Sequence, residues 1–184
     1  ELRVIKEFTC YFPYQQPELA QSFYEFFGSD ARNKHIKLYY DRAGNKRREE
    51  LEQITTDARI LKRELESFGF NVELMNEGQR TIYYWQQLLW LVFGEQTNAF
   101  PHVRICENEC KNLCSAIMLS PLKKTEGRIE LDKTSEKKVP LKHQAGLTTQ
   151  LPSALIYLLY GLYGDRLSSD FMNIPDDLPD NIML

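Results

Sequence analysis

His35-Ile-Lys-Leu-Tyr-Tyr-Asp-Arg-Ala-Gly-Asn45 is a stretch that predicts a β-strand leading directly into a carboxylate and a turn. Apolar side chains recur at every second position from Ile36 to Tyr40, which is the period of a strand with one buried face. Asp41 follows at the predicted strand end, and Gly44-Asn45 favours a change of chain direction. Ligands gather at the carboxyl ends of strands in open α/β sheets, so Asp41 is a candidate metal ligand or general base. Alternatively, Asp41 only caps the turn.

A helix and a second strand are predicted further along the chain. Thr55 or Thr56 is expected to cap the helix, and Gly69 to end it. Phe70–Met75 has the composition of a short strand. Strand, helix, glycine and strand in this order predict a βαβ unit with parallel strands. We expect this unit to belong to a mixed α/β sheet flanked by helices, with a third strand near Leu2–Phe12 as a neighbour.

Length and composition favour one domain with a tail. The chain has 184 residues, and 42% of them are hydrophobic, which suits a single core over residues 1–166 followed by an acidic tail over residues 167–184. The net charge of −3 does not indicate a nucleic-acid binder, although a basic face can lie on an acidic body. No apolar run is long enough to cross a membrane. Glu1 leads directly into a predicted strand without a signal peptide, so we expect a fragment of a larger protein. The cysteine pattern described next favours a cytoplasmic setting.

Three of the four cysteines share one spacing. Cys106, Cys110 and Cys114 lie at four-residue intervals, the spacing of one face of a helix, and a helix is predicted from Asn108 to Met118. Zinc sites usually use paired C-x2-C spacings. With Cys10 isolated, the pattern therefore favours reduced, mostly buried thiols without zinc.

Two polar segments are predicted to be exposed. Arg42–Gln53 is typical of a solvated loop or an exposed helical turn. The second segment, Ser120–Gln144, is rich in lysine around a short predicted strand, Arg128–Asp132, and could contact phosphates. The candidate DNA-binding residues in it are Lys123, Lys124, Arg128, Lys133, Lys137 and Lys138.

Several motifs, in this order and spacing, resemble the nuclease half of the large terminase subunits of tailed bacteriophages. The similarity spans roughly residues 2–163. It is carried by Tyr39-Tyr-Asp-Arg-Ala-Gly-Asn45, Leu65-Glu-Ser-Phe-Gly69, Phe70-Asn-Val-Glu-Leu74, Ile129-Glu-Leu-Asp-Lys-Thr-Ser-Glu-Lys137 and Ala154-Leu-Ile-Tyr-Leu-Leu159.

The resemblance implies a ribonuclease H-like fold and a metal-dependent endonuclease. Such an enzyme cuts concatemeric double-stranded DNA during genome packaging, with two Mg²⁺ or Mn²⁺ ions held by three acidic positions. It implies the phage portal and the small terminase subunit as partners, and a phage or prophage protein working in the host bacterial cytoplasm.

The chain departs from the family pattern at two of the three acidic positions. The first strand and its acid are expected to be missing, and Asp41 holds the second position. The third lies at the start of the last helix, where the chain has Ser153. Asp132 is a candidate catalytic substitute, as are Glu136 and His143. With one clear carboxylate the site would bind metal weakly.

The departures leave other functions open beside the active nuclease. One alternative is a catalytically degenerate ribonuclease H-like module that presents its sheet to the packaging motor. Another is a resolvase-like or transposase-like relative.

Overall fold

The chain divides into two units. The computed structural model describes residues 1–10, 15–28, 34–40, 47–50, 53–75, 92–93, 100–119, 122–125, 128–132, 134, 138, 140 and 147–164. The terminal unit consists of Glu1–Glu7 and Ile82–Leu184, and the inserted unit is the continuous segment Phe8–Thr81. The architecture is mixed α/β, with helices beside short pairs of strands. The predicted tail, residues 167–184, lies outside the described residues.

The inserted unit contains the predicted parallel strand pair. Strand β2 (His35–Leu38) runs parallel to β5 (Asn71–Leu74), with His35 opposite Asn71 and Leu38 opposite Leu74. The chain connects them through a hairpin and a helix, as parallel strands require a crossover. This confirms the prediction that the two strands are parallel neighbours.

Two helices cover the inward face of this pair. Helix α1 spans Gln15–Phe27 and helix α2 spans Asp57–Ser67, and the two pack against each other. Their shared core is apolar, and removing it from water is the main stabilising term. It contains the buried residues Ala20, Leu65, Phe70 and Val72, with Phe23, Ile36, Leu38, Leu61 and Phe68 packed against them.

The ends of α2 follow the sequence prediction. The Thr56 side chain accepts a hydrogen bond from the Arg59 amide at 3.4 Å, so Thr56 is the N-cap. Gly69 has a φ of 84°, the left-handed conformation in which a residue with a Cβ is strained. The chain thereby reverses into β5 with Phe70 buried in the core.

The terminal unit contains a second parallel pair. Strand β1 (Leu2–Val4) pairs with β6 (Val103–Ile105), with Leu2 opposite Val103. The predicted first strand is therefore shorter than Leu2–Phe12, and within the described residues its partner is β6, not β2 or β5. Alternating apolar residues identify a strand but not its partner, which explains the difference.

Helices α3 (Lys111–Leu119) and α4 (Gln150–Tyr163) pack together in the terminal unit. Helix α3 starts three residues later than predicted, so Cys106 and Cys110 precede it. Cys106 is exposed, so the prediction that these cysteines are mostly buried was wrong for this residue. The buried core consists of Val92, Phe100, Val103, Cys110, Leu113, Leu155, Ile156 and Leu159.

Two antiparallel hairpins replace segments predicted as exposed loops. Strands β3 (Arg47–Glu50) and β4 (Gln53–Thr56) pair in the inserted unit. Strands β7 (Leu122–Thr125) and β8 (Arg128–Leu131) pair in the terminal unit. Of these two strands, β8 was predicted from the sequence. Charge-rich runs are compatible with strands because each hairpin satisfies its backbone hydrogen bonds locally. Across the described residues, no helix combines the length and apolarity needed to cross a membrane.

Candidate functional site

The strand pair of the inserted unit leads toward the first candidate residue. The Met75 amide donates to the Leu38 carbonyl at 3.1 Å, which extends the β2–β5 ladder by one step at its carboxyl end. Tyr39 and Tyr40 follow β2 and are half-buried. Asp41, the next residue, lies outside the described residues.

Asp132, the proposed substitute ligand, closes a local turn after β8. Its Oδ1 atom accepts hydrogen bonds from the Thr134 amide, at 2.9 Å, and from the Thr134 hydroxyl. This arrangement is a common way for aspartate to end a strand. The contacts therefore give Asp132 a structural role, and a metal would have to share its carboxylate with that turn.

Ser153 lies in the first turn of α4, buried against the core. Its side chain is 8% exposed, and its amide donates to the Thr149 carbonyl at 2.9 Å. Within the described part of the chain, the Ser153 Oγ atom has no hydrogen-bond partner. Thr148 and Thr149 are also buried, so three hydroxyl side chains are enclosed at the start of this helix. The position that the resemblance assigns to the third acid is therefore a buried one.

The candidate DNA-binding residues are concentrated near one hairpin. Lys123 and Lys124 lie on β7, and Arg128 begins β8, where it is opposite Thr125. Lys138 is exposed. Lys133 and Lys137 lie outside the described residues. The hairpin backbone thus brings at least three of the six basic residues into one short element.

The described residues do not assemble a complete metal site. Among them, no group of three or more His, Cys, Asp and Glu side chains is placed to hold a metal ion. Asp132 and Ser153 belong to the terminal unit, whereas Asp41 belongs to the inserted unit by its position in the chain.

Glu7 has a role that the sequence analysis missed. Its carboxylate accepts from the Asn112 amide at 3.0 Å, the Asn112 side-chain amide at 2.8 Å and the Leu113 amide at 2.6 Å. Glu7 therefore caps the start of α3 from 105 positions away in the chain. Capping motifs are recognised by residues adjacent to a helix, so no local pattern could reveal this contact.

Comparisons with known proteins place the chain in no family. No protein-family model matches it, and neither the curated proteins nor the solved structures contain a significant match.

Proposed function

We propose that the chain is the nuclease domain of a large terminase subunit, with a ribonuclease H-like fold. It would cut concatemeric double-stranded DNA during phage genome packaging, using Mg²⁺ or Mn²⁺ bound at Asp41. The phage portal and the small terminase subunit would be its partners. The proposal rests on the order of the sequence motifs and on the parallel β2–β5 pair.

The β2–β5 pair is the observation that carries most weight. Four residues of each strand are aligned in parallel, so their carboxyl ends lie at the same edge. In α/β sheets this edge is where ligands bind. The chain leaves β2 through Tyr39 and Tyr40 into Asp41, so the sequence supplies a carboxylate directly after this strand.

Replacing Asp41 with asparagine should abolish the weak Mn²⁺-dependent DNA cleavage that we expect of this chain. Asparagine keeps the side-chain size but removes the negative charge that a divalent cation needs. The measurement is relaxation of supercoiled plasmid in Mn²⁺, with chelator as the metal-free reference. Turnover should be low even in the unaltered chain, since few carboxylates offset the repulsion between two metal ions.

The matched control is Glu25→Gln, which neutralises an exposed carboxylate on α1 that the resemblance does not assign to metal. It should cleave like the unaltered chain. Cleavage that survives chelation, or that Asp41→Asn leaves unchanged, would show that the site has been placed wrongly.

Neutralising Lys123 and Lys124 together should weaken DNA binding and reduce its dependence on salt. Each lysine that contacts a phosphate contributes about 0.9 to the slope of log affinity against log salt concentration. Adjacent side chains of a strand project from opposite faces, so the double Lys-to-Gln variant should flatten the slope by about 1 to 2. Fluorescence anisotropy with a labelled duplex measures the slope. Lys111→Gln, which changes an exposed lysine on α3, should leave it unaltered.

The degenerate, non-catalytic module is favoured as the second candidate by the surroundings of Ser153. A buried hydroxyl, enclosed together with those of Thr148 and Thr149, is a poor substitute for a metal-binding carboxylate. This candidate predicts salt-sensitive DNA binding without Mn²⁺ binding or cleavage. Titration of Mn²⁺ against the unaltered chain and Asp41→Asn distinguishes the two functions.

A further inference from the structure

We propose that Cys106 and Cys110 are a peroxide-sensitive thiol pair that closes reversibly to a disulfide. All four cysteines of the chain are free thiols in the structure. The pair lies in the terminal unit, at the turn that connects β6 to α3, and includes none of the nuclease residues proposed above.

The turn holds the two cysteines close together. The Cys110 amide donates to the Cys106 carbonyl at 2.9 Å. A hydrogen bond between residues four apart places their Cα atoms about 6 Å apart in helical geometry. Disulfides span Cα separations of roughly 4.4–6.8 Å, so the backbone is already within range.

Both residues also contact the same carbonyl group. The Val4 oxygen accepts from the Cys106 amide at 2.8 Å and from the Cys110 thiol at 3.8 Å. This shared acceptor places the Cys110 sulfur beside the backbone of Cys106. Closing the disulfide requires the Cys110 thiol to exchange its weak hydrogen bond to Val4 for the covalent bond.

Exposure assigns different roles to the two thiols. Cys106 is exposed and can meet peroxide, whereas Cys110 is fully buried. Burial raises the pKa of the Cys110 thiol, and Glu7 raises it further. Cys110 therefore stays protonated and does not react with peroxide itself, since thiolates are the reactive form. Its role is to react with Cys106 after Cys106 has been oxidised.

The reaction is a two-electron oxidation. The Cys106 thiolate attacks hydrogen peroxide, forming a sulfenic acid and releasing hydroxide. The Cys110 sulfur, after losing its proton, then attacks the Cys106 sulfur and displaces the second oxygen as water. Two thiols are oxidised to one disulfide, and one peroxide is reduced to two waters.

Cys114 is the competing partner, but it is less suitable. The Cys114 amide donates to the Cys110 carbonyl at 3.0 Å, so this pair also has helical spacing. Cys114 lies inside α3, where Cβ atoms four residues apart are about 5–6 Å apart, and a disulfide needs about 3.5–4.5 Å. The segment from Cys106 to Cys110 is a turn that precedes α3, so its adjustment affects the Cys110 hydrogen bonds to Cys106 and Cys114 but not those within α3.

The test is peroxide treatment of the reduced full chain, followed by trapping with N-ethylmaleimide and peptide mass mapping. We expect a disulfide between Cys106 and Cys110, reversed by dithiothreitol. Before oxidation, Cys106 should be the first cysteine to react with the trapping reagent. Cys114→Ser should retain the disulfide, and Cys106→Ser should lose it while leaving Cys110 unreacted.

Three outcomes would overturn the proposal. One is continued labelling of both cysteines after peroxide, and another is a disulfide that uses Cys114. The third is a disulfide that joins two chains through Cys106 alone. Circular dichroism of each variant checks folding, and the exposed Cys106 position provides an informative variant even if Cys110→Ser does not fold.

Discussion

Replacing Ser153 with aspartate should lower the free energy of unfolding by about 3–5 kcal/mol in the absence of divalent metal. The side chain is 8% exposed at the start of α4, close to the core residues Leu155 and Ile156. A carboxylate there would lose its hydration, and within the described residues even the native hydroxyl has no hydrogen-bond partner. Urea unfolding followed by circular dichroism measures the loss.

Ser153→Asn is the matched control, because asparagine has the size of aspartate without its charge. Overpacking alone should destabilise this variant by about 1–3 kcal/mol. Burial raises the pKa of the introduced carboxyl above the value near 3.9 that it has in the unfolded chain. The additional loss of stability caused by the charge therefore develops as the pH rises above about 3.9. The two variants should therefore converge in acid. Equal stability at neutral pH would contradict the buried placement of Ser153.

The same pair of variants tests whether a carboxylate at position 153 can bind a metal ion. If it can, Mn²⁺ should stabilise Ser153→Asp by mass action and leave Ser153→Asn unchanged. An absence of this difference would favour the non-catalytic module.

Replacing Glu7 with alanine should lower the free energy of unfolding by about 2 kcal/mol. The change removes the acceptor for two backbone amides in the first turn of α3, at Asn112 and Leu113. It also removes a negative charge from the positive end of the helix. Denaturant unfolding gives the energy, and hydrogen exchange at these two amides locates the effect.

Lys6→Ala serves as the control for this variant. Lys6 forms an ion pair with Glu109 beside the cap, and both side chains are partly exposed. Such pairs contribute about 0–1 kcal/mol, so Lys6→Ala should be the milder change. If Glu7→Ala is no more destabilising than Lys6→Ala, the cap has been overestimated.

The sequence predicted well those parts of the fold that depend on neighbouring residues. The boundaries of α2 follow from Thr56 and Gly69, which act on their own neighbours through capping and a left-handed turn. The parallel pairing of β2 with β5 follows from the helix between them. The capping contacts span few residues, and the order strand, helix, glycine and strand can be read continuously along the chain.

Long-range partners were not predictable from the same patterns. Nothing in Leu2–Val4 specifies pairing with β6, since apolar alternation is common to all half-buried strands. The segment that contains β3 was predicted as a solvated loop or an exposed helical turn, and the one that contains β7 as a basic loop, because charged runs are usually solvated. Pairing within each hairpin overrides this tendency. The expected cysteine face was wrong at Cys106, because four-residue spacing continues through a turn as well as through a helix.

The candidate site was only partly accessible to sequence reasoning. Asp41 and the basic residues can be identified by type and order, but the local turn that occupies Asp132 depends on Thr134. The burial of Ser153 depends on how α4 packs in the terminal unit, which the serine itself does not reveal.

The interruption of the terminal unit by the inserted unit has a consequence for synthesis on the ribosome. The inserted unit is continuous and has its full sequence once residue 81 is made. Strand β1 cannot pair until β6 has been synthesised. Roughly a hundred residues separate the two strands, and the entropic cost of closing such a loop makes their pairing slower than local pairing. Strand β1 is therefore translated long before its partner is available, and a folded inserted unit shortens the effective loop that has to close.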